Sequence, residues 1–125
     1  MERTLTMYEK LGDERLQQLI DAFYDRVFES EVIGHLFSKT PKDVIKDKQF
    51  CFLTQFLGGP PRYNEKFGHP RMRMRHLPHP IGEKERDEWL KLMHEAIQTL
   101  DWDEKNKNAL YQCFPALASH MMNKA

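Results

Sequence analysis

A chain of 125 residues has the usual size of one domain, and it can bury a hydrophobic core without disulfides. Its 19 lysines and arginines balance 19 acidic residues, which argues against a general nucleic-acid-binding protein. No apolar run approaches the roughly 20 residues that span a bilayer, and the N-terminus lacks a signal-peptide pattern. We therefore expect one domain over residues 1–125, located in the cytoplasm with no membrane partner. Cys51 and Cys113 are expected to be buried free thiols.

The first half of the chain has the apolar spacing of two helices. Asp13 can cap a helix from about residue 14, in which apolar residues recur at three- and four-residue steps. A loop with one turn ending near Phe37 follows it. The letters TPKD at 40–43 are typical of a helix start, with a hydroxyl, a proline and an acid in order. GGPP at 58–61 ends this second helix.

The second half is predicted to begin with a long Gly/Pro-rich loop, residues 58–70, around Tyr63. A short helix from Pro70 would carry the segment RMRMRHLPHPIG, residues 71–82. A long helix is expected from about 83 to 100. The last helix would be capped by Asp101 or Asp103 and kinked at Pro115. No strand pattern or repeat is evident, so the sequence predicts an all-helical fold.

Three polar side chains lie within the apolar stripes of these helices: Tyr24, Gln49 and Trp89. A buried hydroxyl, amide or indole N–H without a partner costs about 1–3 kcal/mol, so each needs one. Tyr24 and Trp89 are also common core residues whose polar tips reach backbone or water, and Gln49 could lie at a stripe edge. The three groups could bond to one another, or they could converge on a small polar ligand.

His76 stands out among the six histidines. It ends the basic segment RMRMRH, with Met72 one helical turn before it and a proline two residues after it. One histidine beside apolar helices is what haem iron needs, an axial imidazole with the opposite side left open. His69, His76 and His79 could instead gather around zinc, although catalytic zinc usually sits on a more regular frame.

The basic segment also suits a haem. Haem is a large apolar disc with two carboxylates at one edge, which need cations or hydroxyls at the mouth of the pocket. Arg75, Tyr63 and Lys48 are placed to supply them. The alternative for the arginines at 71, 73 and 75 is a solvated basic segment. The many large apolar residues could pack around a large group, but on their own they are more typical of an ordinary aromatic core.

Four pieces of the chain resemble a known family: AFYDRV around Tyr24, FLTQFLGGPPRY through Tyr63, GHPRMRMRHLPHPIG around His76, and ERDEWLKLMH around Trp89. From about residue 7 to residue 123, the chain resembles the truncated haemoglobins of the second group. The resemblance implies a two-over-two helical sandwich that encloses haem b, iron protoporphyrin IX. The order of the four pieces agrees with the order of the predicted helices.

The resemblance assigns a role to each candidate. His76 matches the proximal iron ligand, and Tyr24 matches the distal hydroxyl that donates a hydrogen bond to the ligand. Gln49 and Trp89 match positions that line the distal pocket. The remaining matches are the haem wedge Phe37, Ile45 at the usual place of a distal histidine, Lys48, Tyr63 and Arg75 at the propionates, and the walls Phe23, Phe52, Leu53, Met72 and Leu77.

Two positions depart from the family pattern. Many members have tyrosine where this chain has Phe37, which removes one possible donor from the pocket. Many have phenylalanine where this chain has His79, which could be a surface residue or a second imidazole near the haem edge.

The resemblance implies a protein that binds dioxygen and other small gaseous ligands such as nitric oxide. Two or three donors around the ligand predict tight binding, which favours nitric oxide dioxygenation or peroxide reduction over oxygen transport, although oxygen storage remains possible. The chain has no flavin or nicotinamide motif, so an unidentified reductase is expected as a partner. A haem-based gas sensor or scavenger that signals to a partner protein is the alternative, and a helical module without cofactor is a third. The protein is expected to be a monomer or a homodimer.

Overall fold

The computed structural model describes residues 4–37, 40–68 and 81–120. Six α-helices and one 3-10 helix lie in these ranges: α1 Met7–Glu29, the 3-10 helix Gly34–Phe37, α2 Lys42–Phe56, α3 Arg62–Phe67, α4 Glu83–Gln98, α5 Glu104–Tyr111 and α6 Pro115–His120. No strand occurs in the described ranges, in agreement with the all-helical prediction. The short helix predicted from Pro70 falls outside them.

The first helix begins earlier than residue 14 because the N-terminal segment, residues 6–12, has its own cap. Thr6 Oγ1 accepts a hydrogen bond from the Glu9 N–H at 3.1 Å, and the Thr6 N–H donates to Glu9 Oε1 at 3.0 Å. Gly12, at φ 82°, then interrupts the helix with a backbone conformation that favours glycine. The helix predicted from about residue 14 is therefore confirmed, and the turn before Gly12 was missed.

The prediction of a loop over residues 58–70 is wrong for residues 62–67, which form α3. Pro61 precedes the first turn, where its fixed φ costs nothing, and its carbonyl accepts from the Glu65 N–H at 3.0 Å. Tyr63 and Phe67, four residues apart, pack their rings with centroids at 5.0 Å. The high Gly and Pro content of the flanks hid a helix of six residues.

The last three helices agree closely with the sequence. The Gly82 N–H donates to Glu85 Oε1 at 3.3 Å at the start of α4. Asp103, one of the two predicted caps, accepts from the Asn106 N–H at 2.8 Å and starts α5. Pro115 begins α6 after an interruption at residues 112–114, which confirms the predicted kink.

One apolar core joins the helices, with α1 packed against α2 and α4, and α4 packed against α5 and α6. Phe23, Leu53 and Phe114 are almost completely buried in it. Cys51 and Cys113 are free thiols, but only Cys51 is fully buried. Within the described part of the chain, no helix is both long and apolar enough to cross a lipid bilayer.

Candidate functional site

A cavity of about 440 Å³ lies between α1, the 3-10 helix, α2, α3, α4 and α6, a volume within the range of ligand pockets in proteins. Its walls are mainly apolar. The apolar lining residues are Ile33, Leu36, Phe37, Ile45, Phe52, Ile81, Leu117 and Ala118. Such walls suit a large apolar ligand, because binding removes the apolar surface of both the ligand and the cavity from water.

Tyr24 projects from α1 into this cavity and is only 3% exposed. Its ring packs edge-on against Phe23 and Phe37, with centroid distances of 5.0 and 5.9 Å. Its hydroxyl donates to Gln49 Oε1 at 3.4 Å, which is long for an O–H···O hydrogen bond. Burial raises the pKa of Tyr24 above its ordinary value. Tyr24 therefore keeps its proton at neutral pH and remains a donor.

Trp89 lines the same cavity from α4. Its ring lies between Phe23 and Phe114, with centroids 5.1 and 5.8 Å away, so its position is fixed by packing. Among residues 4–37, 40–68 and 81–120, its indole N–H has no hydrogen-bond partner. Thus Tyr24 and Gln49 bond to each other, as one of the sequence-based alternatives expected, whereas Trp89 does not join them.

Charged and hydroxyl groups also line the cavity. Lys48 lies on α2, and its Nζ is 5.6 Å from the centroid of the Phe67 ring. Tyr63 on α3 is 4% exposed and packs edge-on against Phe52 at 6.1 Å. Arg86 on α4 reaches the cavity and pairs with Asp87 at 3.0 Å. The cations of Lys48 and Arg86 and the Tyr63 hydroxyl therefore accompany the apolar walls, together with the Thr40 hydroxyl and the Glu85 carboxylate.

These residues fit a haem. The apolar walls match the faces of a flat macrocycle, and Lys48, Tyr63 and Arg86 offer cationic and hydroxyl groups for its carboxylates. No cluster of three metal-binding side chains occurs within the described ranges, and the zinc alternative at His69, His76 and His79 falls outside them. The fit to a haem therefore rests on the residues that line the cavity, since His76 lies outside the described ranges.

Most of the sequence-predicted site residues that the structure describes come together in the cavity: Tyr24, Phe37, Ile45, Lys48, Gln49, Phe52, Tyr63 and Trp89. Phe23 and Leu53, expected as pocket walls, are buried in the core and do not line it. The predictions for Met72, Arg75, His76, Leu77 and His79 lie outside the described residues.

Some lining residues were not predicted: Ile33, Leu36, Thr40, Ile81, Glu85, Arg86, Leu117 and Ala118. Glu85 and Arg86 precede Trp89 by four and three residues, so the helical period places them on its face and could have found them. Leu117 belongs to the apolar stripe of the last predicted helix. Ile33 and Leu36 come from an irregular segment, where no period relates one residue to the next.

Similarity to known proteins agrees with this geometry. The family model described as bacterial-like globin matches residues 6–123. The group 2 truncated hemoglobin YjbI of Bacillus subtilis is 40% identical over 119 residues, which cover 94% of this chain and 88% of that protein.

Two solved structures superpose on almost the whole chain. The group II truncated hemoglobin from Bacillus anthracis has a TM-score of 0.91 at 31% identity and covers 98% of this chain and 95% of that one. The truncated oxygen-avid haemoglobin from Bacillus subtilis has a TM-score of 0.86 at 40% identity, with coverages of 95% and 100%. The predicted two-over-two helical sandwich is thereby confirmed.

Proposed function

Because this chain belongs to the bacterial-like globin family, in which a haem binds dioxygen and other small ligands, we propose that it holds haem b with His76 as the axial ligand. The bound haem would lie in the cavity lined by Tyr24 and Trp89, with Lys48 and Tyr63 toward its carboxylates. Arg75, next to His76, would be a further cation on that side. The apolar walls and the placement of Tyr24, Trp89, Lys48 and Tyr63 around the cavity support the proposal.

The indole N–H of Trp89, which has no hydrogen-bond partner among the described residues, lines the same apolar cavity as the Tyr24 hydroxyl, and this observation carries the functional proposal. When bound, the haem iron supplies the coordination site and the redox couple for dioxygen chemistry. A donor that contributes about 1.4 kcal/mol to holding dioxygen changes the equilibrium constant tenfold. Tyr24 and Trp89 together would therefore make release slow.

Gln49 determines where the proton of Tyr24 points. The tyrosine has one O–H, which donates to Gln49 Oε1 across a long 3.4 Å contact. A partly negative ligand oxygen at a shorter distance would be a better acceptor. The side-chain amide of Gln49 can then turn so that its N–H donates to the tyrosine oxygen. This exchange keeps both groups satisfied when a ligand enters.

Slow release suits oxygen chemistry better than oxygen delivery, and the relative described as oxygen-avid is in keeping with this. We favour nitric oxide dioxygenation, in which nitric oxide, dioxygen and one electron give nitrate. Peroxide reduction is the second candidate, in which hydrogen peroxide, two electrons and two protons give two molecules of water. In both reactions an external reductase supplies the electrons, and the chain's donors hold and orient the oxygen.

The test of this reaction is the nitrate yield when the oxygenated protein is mixed with nitric oxide, with and without a chemical reductant. We expect one nitrate per protein without reductant and repeated turnover with it. Oxygen binding without nitrate formation would contradict the dioxygenase proposal and favour storage or a sensor. Loss of added peroxide under the same reducing conditions measures the second candidate.

The axial ligand is tested by the Soret band of protein reconstituted with hemin. His76→Gly is expected to lose or displace the band, and added imidazole is expected to restore it. His94→Gly is the control, since His94 is exposed and packs edge-on against Tyr111 at 5.2 Å. If His79→Gly rather than His76→Gly loses the band, the ligand assignment moves to His79. A protein that takes up no hemin would overturn the cofactor proposal.

A further inference from the structure

A polar network joins the N-terminal part of α1 to the first residue of α3. Arg62 donates from Nη1 and Nη2 to the two carboxylate oxygens of Asp13, at 3.0 and 3.3 Å. The Tyr8 hydroxyl donates to the same carboxylate at 2.7 Å. Arg62 Nη1 also lies 3.4 Å from Thr54 Oγ1 on α2. A two-pronged Arg–carboxylate pair with further partners fixes the guanidinium more firmly than a single surface contact does.

Aromatic rings hold the same guanidinium. It lies over the rings of Tyr8 and Phe50, with 5.7 and 5.6 Å between its central carbon and the ring centroids. Arg62 and Tyr8 together hold the pKa of Asp13 below its ordinary value, so the carboxylate stays charged at neutral pH. Arg62 is therefore bound from three sides, by the N-terminal segment, by α2 and by the carboxylate.

The backbone of the N-terminal segment also packs directly on the corner between α2 and α3. The Tyr8 N–H donates to the Leu57 carbonyl at 2.9 Å. A Cβ at Gly59 would lie 2.5 Å from the Tyr8 ring and 2.8 Å from the Thr54 carbonyl, so glycine is needed for this approach. The N-terminal segment thus forms a fixed support for the start of α3.

Tyr63 is the next residue, and it faces the cavity. Successive residues of an α-helix point about 100° apart, so Arg62 can contact the N-terminal segment while Tyr63 lines the pocket. α3 has six residues and is too short to be stable alone, so contacts with the rest of the protein must set its orientation. Any rotation of α3 that displaced Arg62 would displace Tyr63 as well.

We propose that Arg62, held by Asp13 and Tyr8, is a positioning residue that fixes the Tyr63 hydroxyl where it donates a hydrogen bond to a haem carboxylate. This inference rests on the proposed function, because it requires a haem in the cavity. Arg62 itself does not line the cavity and acts through Tyr63. Retention of the haem, rather than stability of the fold alone, is the property that the network controls.

The test measures the rate at which the reconstituted protein, residues 1–125, loses hemin to an excess of a high-affinity acceptor globin. Tyr63→Phe and Asp13→Asn are each expected to speed the loss about threefold to tenfold. The double variant is expected to lose hemin no faster than Tyr63→Phe alone, since Asp13 acts through the hydroxyl. Arg62→Lys, which keeps the charge and loses the two-pronged contact, is expected to behave like Asp13→Asn.

Asp21→Asn is the matched control. Asp21 pairs with Lys46 at 3.2 Å, and its side chain is 50% exposed against 52% for Asp13, so both variants lose one charge at similar exposure. We expect hemin loss from Asp21→Asn at the wild-type rate. Additive effects of Asp13→Asn and Tyr63→Phe, or equal effects of Asp13→Asn and Asp21→Asn, would overturn the inference.

The remaining outcomes also separate the inference from the proposed function. An unchanged rate for Tyr63→Phe, with normal hemin uptake, would overturn the inference and leave the haem proposal intact. A wild-type protein that takes up no hemin would overturn the proposed function, and this inference with it. Thermal unfolding of each apoprotein shows whether a variant has also lost its fold, and Arg62→Lys serves as the second variant if Asp13→Asn does not fold.

Discussion

The polar groups of the cavity make far fewer hydrogen bonds than those of the N-terminal corner, the cluster formed by Tyr8, Asp13 and Arg62. In the cavity, the buried Tyr24 hydroxyl makes one long hydrogen bond of 3.4 Å, and Trp89 makes none with the described residues. At the half-exposed corner, Asp13 accepts three hydrogen bonds of 2.7 to 3.3 Å from Tyr8 and Arg62. The corner therefore has more hydrogen bonds within the protein, although its half-exposed groups could also have bonded to water.

This contrast distinguishes a ligand-binding site from a cluster that only holds helices in position. A polar group with spare hydrogen-bonding capacity in an apolar cavity is a place where a ligand can bind. A saturated surface cluster has no capacity left for a ligand and can only fix the elements that carry it. The cavity groups should therefore control ligand binding, whereas the corner should control geometry.

Tyr24→Phe should show the largest effect. It removes the buried hydroxyl and leaves the ring packing in place, so dioxygen should dissociate about ten- to a hundredfold faster. Stopped-flow displacement of dioxygen by carbon monoxide measures the rate. Tyr111→Phe, a tyrosine outside the cavity that packs against His94, is the control. Equal dissociation rates for wild type and Tyr24→Phe would contradict the role of the Tyr24 hydroxyl in holding the ligand.

The same hydroxyl should govern stability in alkali. Burial raises the pKa of Tyr24 in the folded protein, so the unfolded chain ionises first, near pH 10, and stability falls as the pH rises above that value. One such group contributes a slope of up to about 1.4 kcal/mol per pH unit. Urea unfolding between pH 8 and 11.5 should show a smaller decline for Tyr24→Phe than for wild type.

Tyr8→Phe sharpens this measurement. The pKa of Tyr8 is also raised, chiefly by its hydrogen bond to Asp13, but Tyr8 belongs to the half-exposed corner. Its removal should flatten the alkaline decline less than Tyr24→Phe does. The opposite ranking would show that burial in the cavity is not the main source of the pH dependence.

Trp89→Phe should have an intermediate effect on the ligand. It removes the indole N–H and keeps an aromatic ring between Phe23 and Phe114, so dioxygen release should rise about three- to tenfold. Trp102→Phe is the matched control, because Trp102 lies under the Arg15 guanidinium and does not line the cavity. A Trp102→Phe variant that released dioxygen as fast as Trp89→Phe would contradict the assignment.

Asp13→Asn should have the smallest effect. Partly exposed ion pairs contribute little, so the free energy of unfolding should fall by about 0.5–1 kcal/mol at pH 7. Because the pKa of Asp13 is lowered in the folded protein, this contribution should vanish as the pH falls below about 3.8. Dioxygen release should stay at the wild-type rate, and a change as large as that of Trp89→Phe would erase the contrast between the two clusters.

The long helices were predictable because their apolar residues repeat with the helical period, as in α2 and α4. α3 was not, since prolines and glycines on both sides of residues 62–67 are typical of a loop, and its stability comes from contacts with the N-terminal segment. The turn before Gly12 was missed for a related reason. It is held by the capping box of Thr6 and Glu9 and by packing of Tyr8 on the corner between α2 and α3, and it has no apolar stripe of its own.

The site residues also divide into those that the sequence predicts and those that only the folded chain reveals. Tyr24, Gln49 and Trp89 were found because each is a polar residue within an apolar stripe, which a sequence displays directly. Glu85 and Arg86 were missed because polar residues in a first helical turn are usually solvated, although their spacing from Trp89 places them on the same face of α4. The position of Leu53 in the core rather than on the wall also depends on how α2 is rotated.

The close approach of Tyr8 to Gly59 defines how far this domain can be shortened. A version trimmed to the helix evident from the sequence, starting at Asp13, would uncover the Leu57 carbonyl and remove one of the two rings that flank Arg62. Such a fragment would retain every described residue of the cavity wall, and on the haem proposal we expect it to release hemin more readily. The minimal unit therefore includes the cap at Thr6, several residues ahead of the first strongly periodic helix.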